Sequence, residues 1–149
     1  MNMDEDLQMN GEVSIVVTGP DGVVKQEIVV PNKVVATGKT YIASRMSTSP
    51  AGVMTHMAVG QSSTAPTDGD TGLIDGLAGR STITFVAVGA TVTAVASFAA
   101  GIASGSITEA GIFDASSGGN MLCRTVFPVV TKEAGDSIAI TWAITVSST

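Results

Sequence analysis

The sequence predicts an all-β fold, an antiparallel β-sandwich of about eight strands with one short helix. Three observations carry that expectation. Hydrophobic residues make up 44% of the chain, yet only 13% are charged and 4% aromatic; the apolar mass therefore lies in Val, Ile and Ala, mixed with Thr and Gly, which suits pleated sheets better than helices. Short runs alternate apolar and polar residues with a period of two. Turn signals built on Gly, Pro, Asn and Asp separate these runs at regular spacing. At 149 residues the chain has the size of one ordinary domain. Residues 1–10 hold three acids and no periodicity, so they read as an arm, with 11–149 as a single sandwich domain.

Taken in order, Glu12 to Thr18 and Val23 to Val30 flank GPDG, where Pro20 presets a turn, which makes a hairpin. From Gly38 to Met46, Ile42 stands four residues before Met46 and Tyr41 four before Arg45, the spacing of a short helix with one buried side. A strand over His56 to Val59 leads into QSSTAPTDGDTG, an exposed loop by composition, and a short turn or helix spans Leu73 to Leu77. Ile83, Phe85 and Ala87 alternate with Thr84 and Val86, as Val92, Ala94, Ala96 and Phe98 do with Thr93, Val95 and Ser97, and Gly89 and Ala90 join the two runs as a hairpin. Ile107 to Phe113 and Met121 to Val126 pair across the glycine-rich DASSGGN. In the last run Ile138, Ile140, Trp142, Ile144 and Val146 share one face, so Trp142 is expected to anchor the core.

Composition excludes several functions. A net charge of −6 with seven scattered Lys and Arg opposes nucleic-acid binding, which rests on neutralising phosphates. No run reaches the roughly 20 apolar residues of a spanning helix; Phe85 to Ile102 is broken by Gly89, Thr91, Thr93 and Ser97. The acidic start lacks a basic region and an apolar core, so no secretion signal is read and synthesis in a cytoplasm is expected. A mean hydropathy of +0.40 with so few charges is unusual for a free monomer, and burial between subunits is the simplest remedy.

The candidate chemistry is thin. TGKT at 37–40 resembles part of a phosphate-binding loop, but the first glycine of that signature falls on Lys33. Asp68 and Asp70 in DGDTG resemble a fragment of a calcium loop without the further oxygen ligands, which favours a turn cluster. His56 is the only histidine and Cys123 the only cysteine; neither has the companions of a catalytic or metal site, and Cys123 reads as a small half-buried strand residue. No catalytic, cofactor-binding or metal residues are assigned. Glu109 lies between residues expected to be buried and so needs a partner. Arg124, on the strand paired with it, is the expected one, as a structural ion pair. Trp142, Glu109, Arg124 and Phe113 are thus the candidate site residues, all in structural roles.

Residues 107–146, ITEAGIFDASSGGNMLCRTVFPVVTKEAGDSIAITWAITV, resemble domains of tailed-bacteriophage virion proteins. In tail-collar and fibre attachment domains a similar I-T-E-x-G-I/L-F strand is followed by a short Gly or Asp turn and a strand ending near proline. NKVVATGKTYIASRM and HMAVGQSSTAPTDGDTGL are more loosely similar to segments of small phage structural proteins. The resemblance implies a virion protein without catalysis; a fibre attachment domain normally continues into a long trimeric shaft, and in this the sequence departs from the family, resembling the docking module alone. Its expected partners are other copies of itself and a major capsid protein or tail and fibre proteins, with capsid decoration or a tail-fibre adaptor as its task. The competing expectation is a carbohydrate or host-receptor binding module, because sandwich loops often carry recognition.

Overall fold

The computed structural model describes residues 6–47 and 52–148. Ten strands and one helix follow in the order β1 (Leu7–Thr18), β2 (Val24–Pro31), β3 (Lys33–Val34), α1 (Ala36–Ser44), β4 (His56–Gly60), β5 (Ser81–Thr82), β6 (Thr84–Val88), β7 (Thr91–Phe98), β8 (Gly105–Phe113), β9 (Met121–Lys132) and β10 (Ser137–Ser148). They form two five-stranded sheets with the orders β2-β1-β10-β7-β6 and β3-β9-β8-β4-β5, and every named strand pair is antiparallel. The sandwich is therefore as expected, with two further strands of two residues each at the edges of the second sheet.

Alternation builds the core. Val13, Ile15 and Val17 of β1, Ala94, Ala96 and Phe98 of β7, and Ile138, Ile140, Trp142 and Ile144 of β10 point inward from the first sheet. Met57, Val59, Ile107, Ala110, Ile112, Cys123 and Phe127 meet them from the second. At roughly 25 cal/mol per Å² of apolar area removed from water, this shared layer is the main source of stability. The first hairpin turns on GPDG, where Gly19 and Val23 and then Gly22 and Gly19 share backbone hydrogen bonds of 2.9 and 3.0 Å. The second reverses at Gly89 and Ala90 with Val88 opposite Thr91.

Three boundaries differ from the expectation. The arm proposed over 1–10 does not extend that far. Leu7 to Asn10 continue β1 and pair with Ser148 to Thr145, and Met9 packs on the core; residues 1–5 lie outside the described part. Main-chain pairing with β10 holds these residues although their side chains show no clean alternation. The helix begins two residues early and ends at Ser44, so Met46 lies beyond it and is 84% exposed instead of packing on Ile42. Its start is tied to other segments: Ala36 N–H donates to the Asp68 carbonyl at 2.9 Å and Thr37 Oγ1 to the Met121 carbonyl at 3.0 Å. Leu73 to Leu77 is not helical, because Gln61 and Leu77 N–H donate to the Asp75 and Val59 carbonyls, binding the segment beside β4.

Strand β9 runs past Val126 through Pro128 to Lys132. Glu109 opposes Val126 and Ile107 opposes Val130, so Thr108 alone faces Phe127, Pro128 and Val129. That bulge accommodates a proline, which cannot donate to the ladder. Beyond it lies a charge cluster the sequence reading missed. Lys25 Nζ is 2.8 Å from Asp136 Oδ2 and 3.0 Å from Glu133 Oε2, while Lys132 Nζ donates to the Ala99 carbonyl at 2.9 Å. The hydrogen bond from Lys25 holds the Asp136 carboxyl below its ordinary range, and the same bond raises Lys25.

These shifts fix the pH window. A depressed carboxylate stabilises the fold above its unfolded pKa, near 3.8, and that contribution is lost as pH falls through the folded value. The raised Lys25 contributes fully below 10.5 and loses its share as pH climbs past the folded value. The melting temperature of the natural protein should therefore fall below about pH 4 more steeply than that of Asp136→Asn. Parallel acid limbs in thermal scans of the two proteins would show that the pair contributes nothing.

Candidate functional site

Strand β8 is buried on both sides. Ile107, Ala110 and Ile112 face the core, whereas Glu109, Gly111 and Phe113 face outward beneath the segment 61–80. Glu109 and Arg124 are both 0% exposed. Gly111, not Glu109, is the register partner of Arg124, so the two charges meet diagonally on one face. Arg124 Nε donates to Glu109 Oε2 at 2.9 Å. Its Nη2 lies 2.8 Å from the same oxygen but off the hydrogen-bonding direction, adding charge attraction alone.

The carboxylate does more than neutralise the guanidinium. Glu109 accepts from the Asp75, Ile74 and Ser62 amides at 2.8, 3.2 and 3.4 Å, and Arg124 Nη1 donates to the Thr64 carbonyl and to Asp70 Oδ2 at 3.0 and 3.1 Å. One buried pair thus fastens both ends of the long loop to the sheet. Close approach is possible because Gly60 has no side chain: a Cβ there would collide with the Glu109 carboxylate and the Asp75 carbonyl.

The other residues singled out in the sequence fall into place around this clasp. Burial pushes the Asp70 carboxyl up, but hydrogen bonds from Thr67 and the Arg124 charge outweigh it, leaving it below the ordinary range. Asp68 is 3.2 Å from Lys39 Nζ and 3.3 Å from Lys33 Nζ, and its carboxyl is lowered by those lysines. The two acids of DGDTG are therefore held by cations of the protein itself. Lys39 of TGKT serves this ion pair, and Gly38 lies inside α1, pressed against the Leu122 carbonyl where a Cβ would clash. His56 Nδ1 is 2.8 Å from Thr55 Oγ1. Cys123 is fully buried instead of half-buried, and burial pushes its thiol far up.

Phe113 is buried in a small outer cluster with Val35, Ala58 and Met121. The Arg80 guanidinium sits 3.7 Å from the ring centroid, a cation–π contact, and its Nη1 donates to the Ala115 and Gly118 carbonyls at 2.8 and 2.9 Å. Arg80 thereby ties the end of the covering segment to the 114–120 loop. Sequence reasoning missed it because nothing local links residues so far apart.

The opposite outer surface has no such cover among the described residues. On β10, β7 and β6, the rows Thr141–Val95–Thr84 and Ala143–Thr93–Val86 lie side by side facing solvent. Residues 81–108 and 137–149 contain no Asp, Glu, Lys, Arg or His, so these three neighbouring strands are free of charge along their whole length. The edge strand β6 is exposed at every position, with Val86 56% and Val88 73% exposed. A solvated sheet face normally carries charged side chains among its polar ones. The charge-free run 81–108 is visible in the sequence, but only the strand pairing shows that it adjoins the equally uncharged β10.

No protein-family model matches the chain, and neither a curated protein nor a solved structure is significantly similar to it. Among the described residues no helix is long and apolar enough to cross a membrane.

Proposed function

We propose that this chain is a non-catalytic structural protein of a bacteriophage virion, one that associates with its own copies and docks on the particle as capsid decoration or as a tail-fibre adaptor. The observation that carries the reading is the uncharged, solvent-facing surface of β10, β7 and β6 in a chain of net charge −6. A surface of Ala, Thr and Val is stable when another protein covers it. The resemblance of residues 107–146 to phage attachment domains supports the assignment to a virion. On this reading the buried charges brace a scaffold: Glu109, Arg124 and Asp70 are engaged with one another and with the loop backbone. The protein is made in the host cytoplasm and ends in the particle, against capsid or tail proteins. The sugar-binding alternative needs exposed rings; Trp142 is fully buried and Tyr41 half-buried, which leaves Phe85, 38% exposed at the rim of an apolar groove, as the exposed ring on this face.

Electron microscopy of phage particles grown with a labelled copy of this chain tests the proposal. Label on many capsid sites indicates decoration, and label at a single vertex indicates an adaptor. A chain that remains wholly in the soluble fraction of the lysate while particles form without it refutes the virion reading.

A further inference from the structure

The two free edges of the first sheet are not alike. β2 carries Lys25, Glu27 and Pro31, with Lys25 committed to Glu133 and Asp136 and Gln26 Nε2 donating to the Val129 carbonyl. Charges, proline and side-chain cover are the devices by which natural edges avoid pairing. β6, Thr84-Phe85-Val86-Ala87-Val88, has no charge and no proline, and no side-chain cover among the described residues. Nor do the adjoining β7 and β10 carry any charge. The second sheet hides its own outer face beneath the loop held by Glu109 and Arg124; among the described residues nothing covers that of the first.

Resting on the reading of a self-associating assembly module, we propose that the β6 edge is where a second copy of this chain binds, β6 against β6 in antiparallel register about a two-fold axis at Val86. The choice of occupant follows from charge. Each copy carries net charge −6, so two copies repel wherever their acids face each other, and the region of β6, β7 and β10 is where they meet without opposing like charges. The register follows from strand length: with Val86 at the centre, Thr84 opposes Val88 and Phe85 opposes Ala87, so all five residues pair. Parity is preserved. Thr84, Val86 and Val88 of both copies then stay on the outer face, and Phe85 of each copy, at the rim of the apolar groove it shares with Met9, Tyr41 and Met54, meets Ala87 of the other. Two five-stranded sheets become one of ten, with a single continuous uncharged face.

The axis makes a sharp test. Antiparallel partners have Cα atoms about 4.5–5.5 Å apart, within disulfide range, so Val86→Cys should form a crosslinked dimer under mild oxidation. The buried Cys123 supplies no competing thiol. Thr84→Cys and Val88→Cys alone should crosslink far less, because each opposes the other residue. Val86→Lys should abolish the dimer in sedimentation at micromolar concentration while leaving circular dichroism and Trp142 fluorescence unchanged. If Val86→Lys stays associated and Val86→Cys does not crosslink, copies meet through another surface; the edge assignment then fails while the assembly reading stands. If the natural chain sediments only as a monomer and never enters particles, the assembly reading itself fails.

Discussion

Replacing Arg124 with alanine should destabilise the protein by about 3–5 kcal/mol, the usual consequence of leaving a buried charge without its partner. Glu109, fully buried, would keep its bonds to the Ser62, Ile74 and Asp75 amides but lose its cation, and Asp70 would lose the same guanidinium. Removing both charges of the pair, as Glu109→Gln with Arg124→Met, should recover part of the loss, because no uncompensated ion remains. Chemical denaturation of the single and double variants measures both effects. A loss below about 1 kcal/mol for Arg124→Ala would mean that water reaches the pair and that the clasp is ornamental.

Trp142→Ala should cost about 3–5 kcal/mol through the cavity it leaves at the middle of the central strand β10. Among the described residues the indole Nε1 has no hydrogen-bond partner, and a buried donor left without one costs stability. Trp142→Phe should therefore destabilise less than the lost ring area alone suggests. Native fluorescence should be blue-shifted and poorly quenched by iodide, with both signs lost on unfolding. Strong quenching of the folded protein would place the ring outside the core and remove this expectation.

Most of the hairpins were legible because one face of each strand is buried and the other is not. Ile138, Ile140, Trp142 and Ile144 on β10 and Ala94, Ala96 and Phe98 on β7 point inward as their alternation implies. The pairing of Glu109 with Arg124 was legible too, since an acid amid apolar residues requires a compensating group on a neighbouring strand. Other features depended on distant segments. Alternation gave no signal at Leu7 to Asn10, which are held by backbone bonds to β10. β3 and β5 are two residues each, too short to show a period. Asp70 joined to Arg124 and Arg80 stacked on Phe113 are contacts between parts of the chain that only the sheet order brings together.

The place of β10 has a bearing on synthesis. β1 and β7 both need it: the central strand of the first sheet, pairing with β1 from Leu7 to Thr18 and with β7 on its other side, is the last of that sheet's five described strands to be made. At about 5–20 residues per second the ribosome takes on the order of ten seconds to go from β1 to the end of β10. During that interval the hairpin of β6 and β7 stands without its neighbour, exposing Phe98, Ala96 and Ala94 to water. The uncharged strands are thus most vulnerable to wrong pairing before β10 emerges, and closure of such distant contacts is slow. Ribosome-stalled chains ending near Thr131 should leave β1 open to protease, whereas chains extended past Ser148 by a tunnel-length linker should protect it. Early protection of β1 would show that the first sheet closes without its centre.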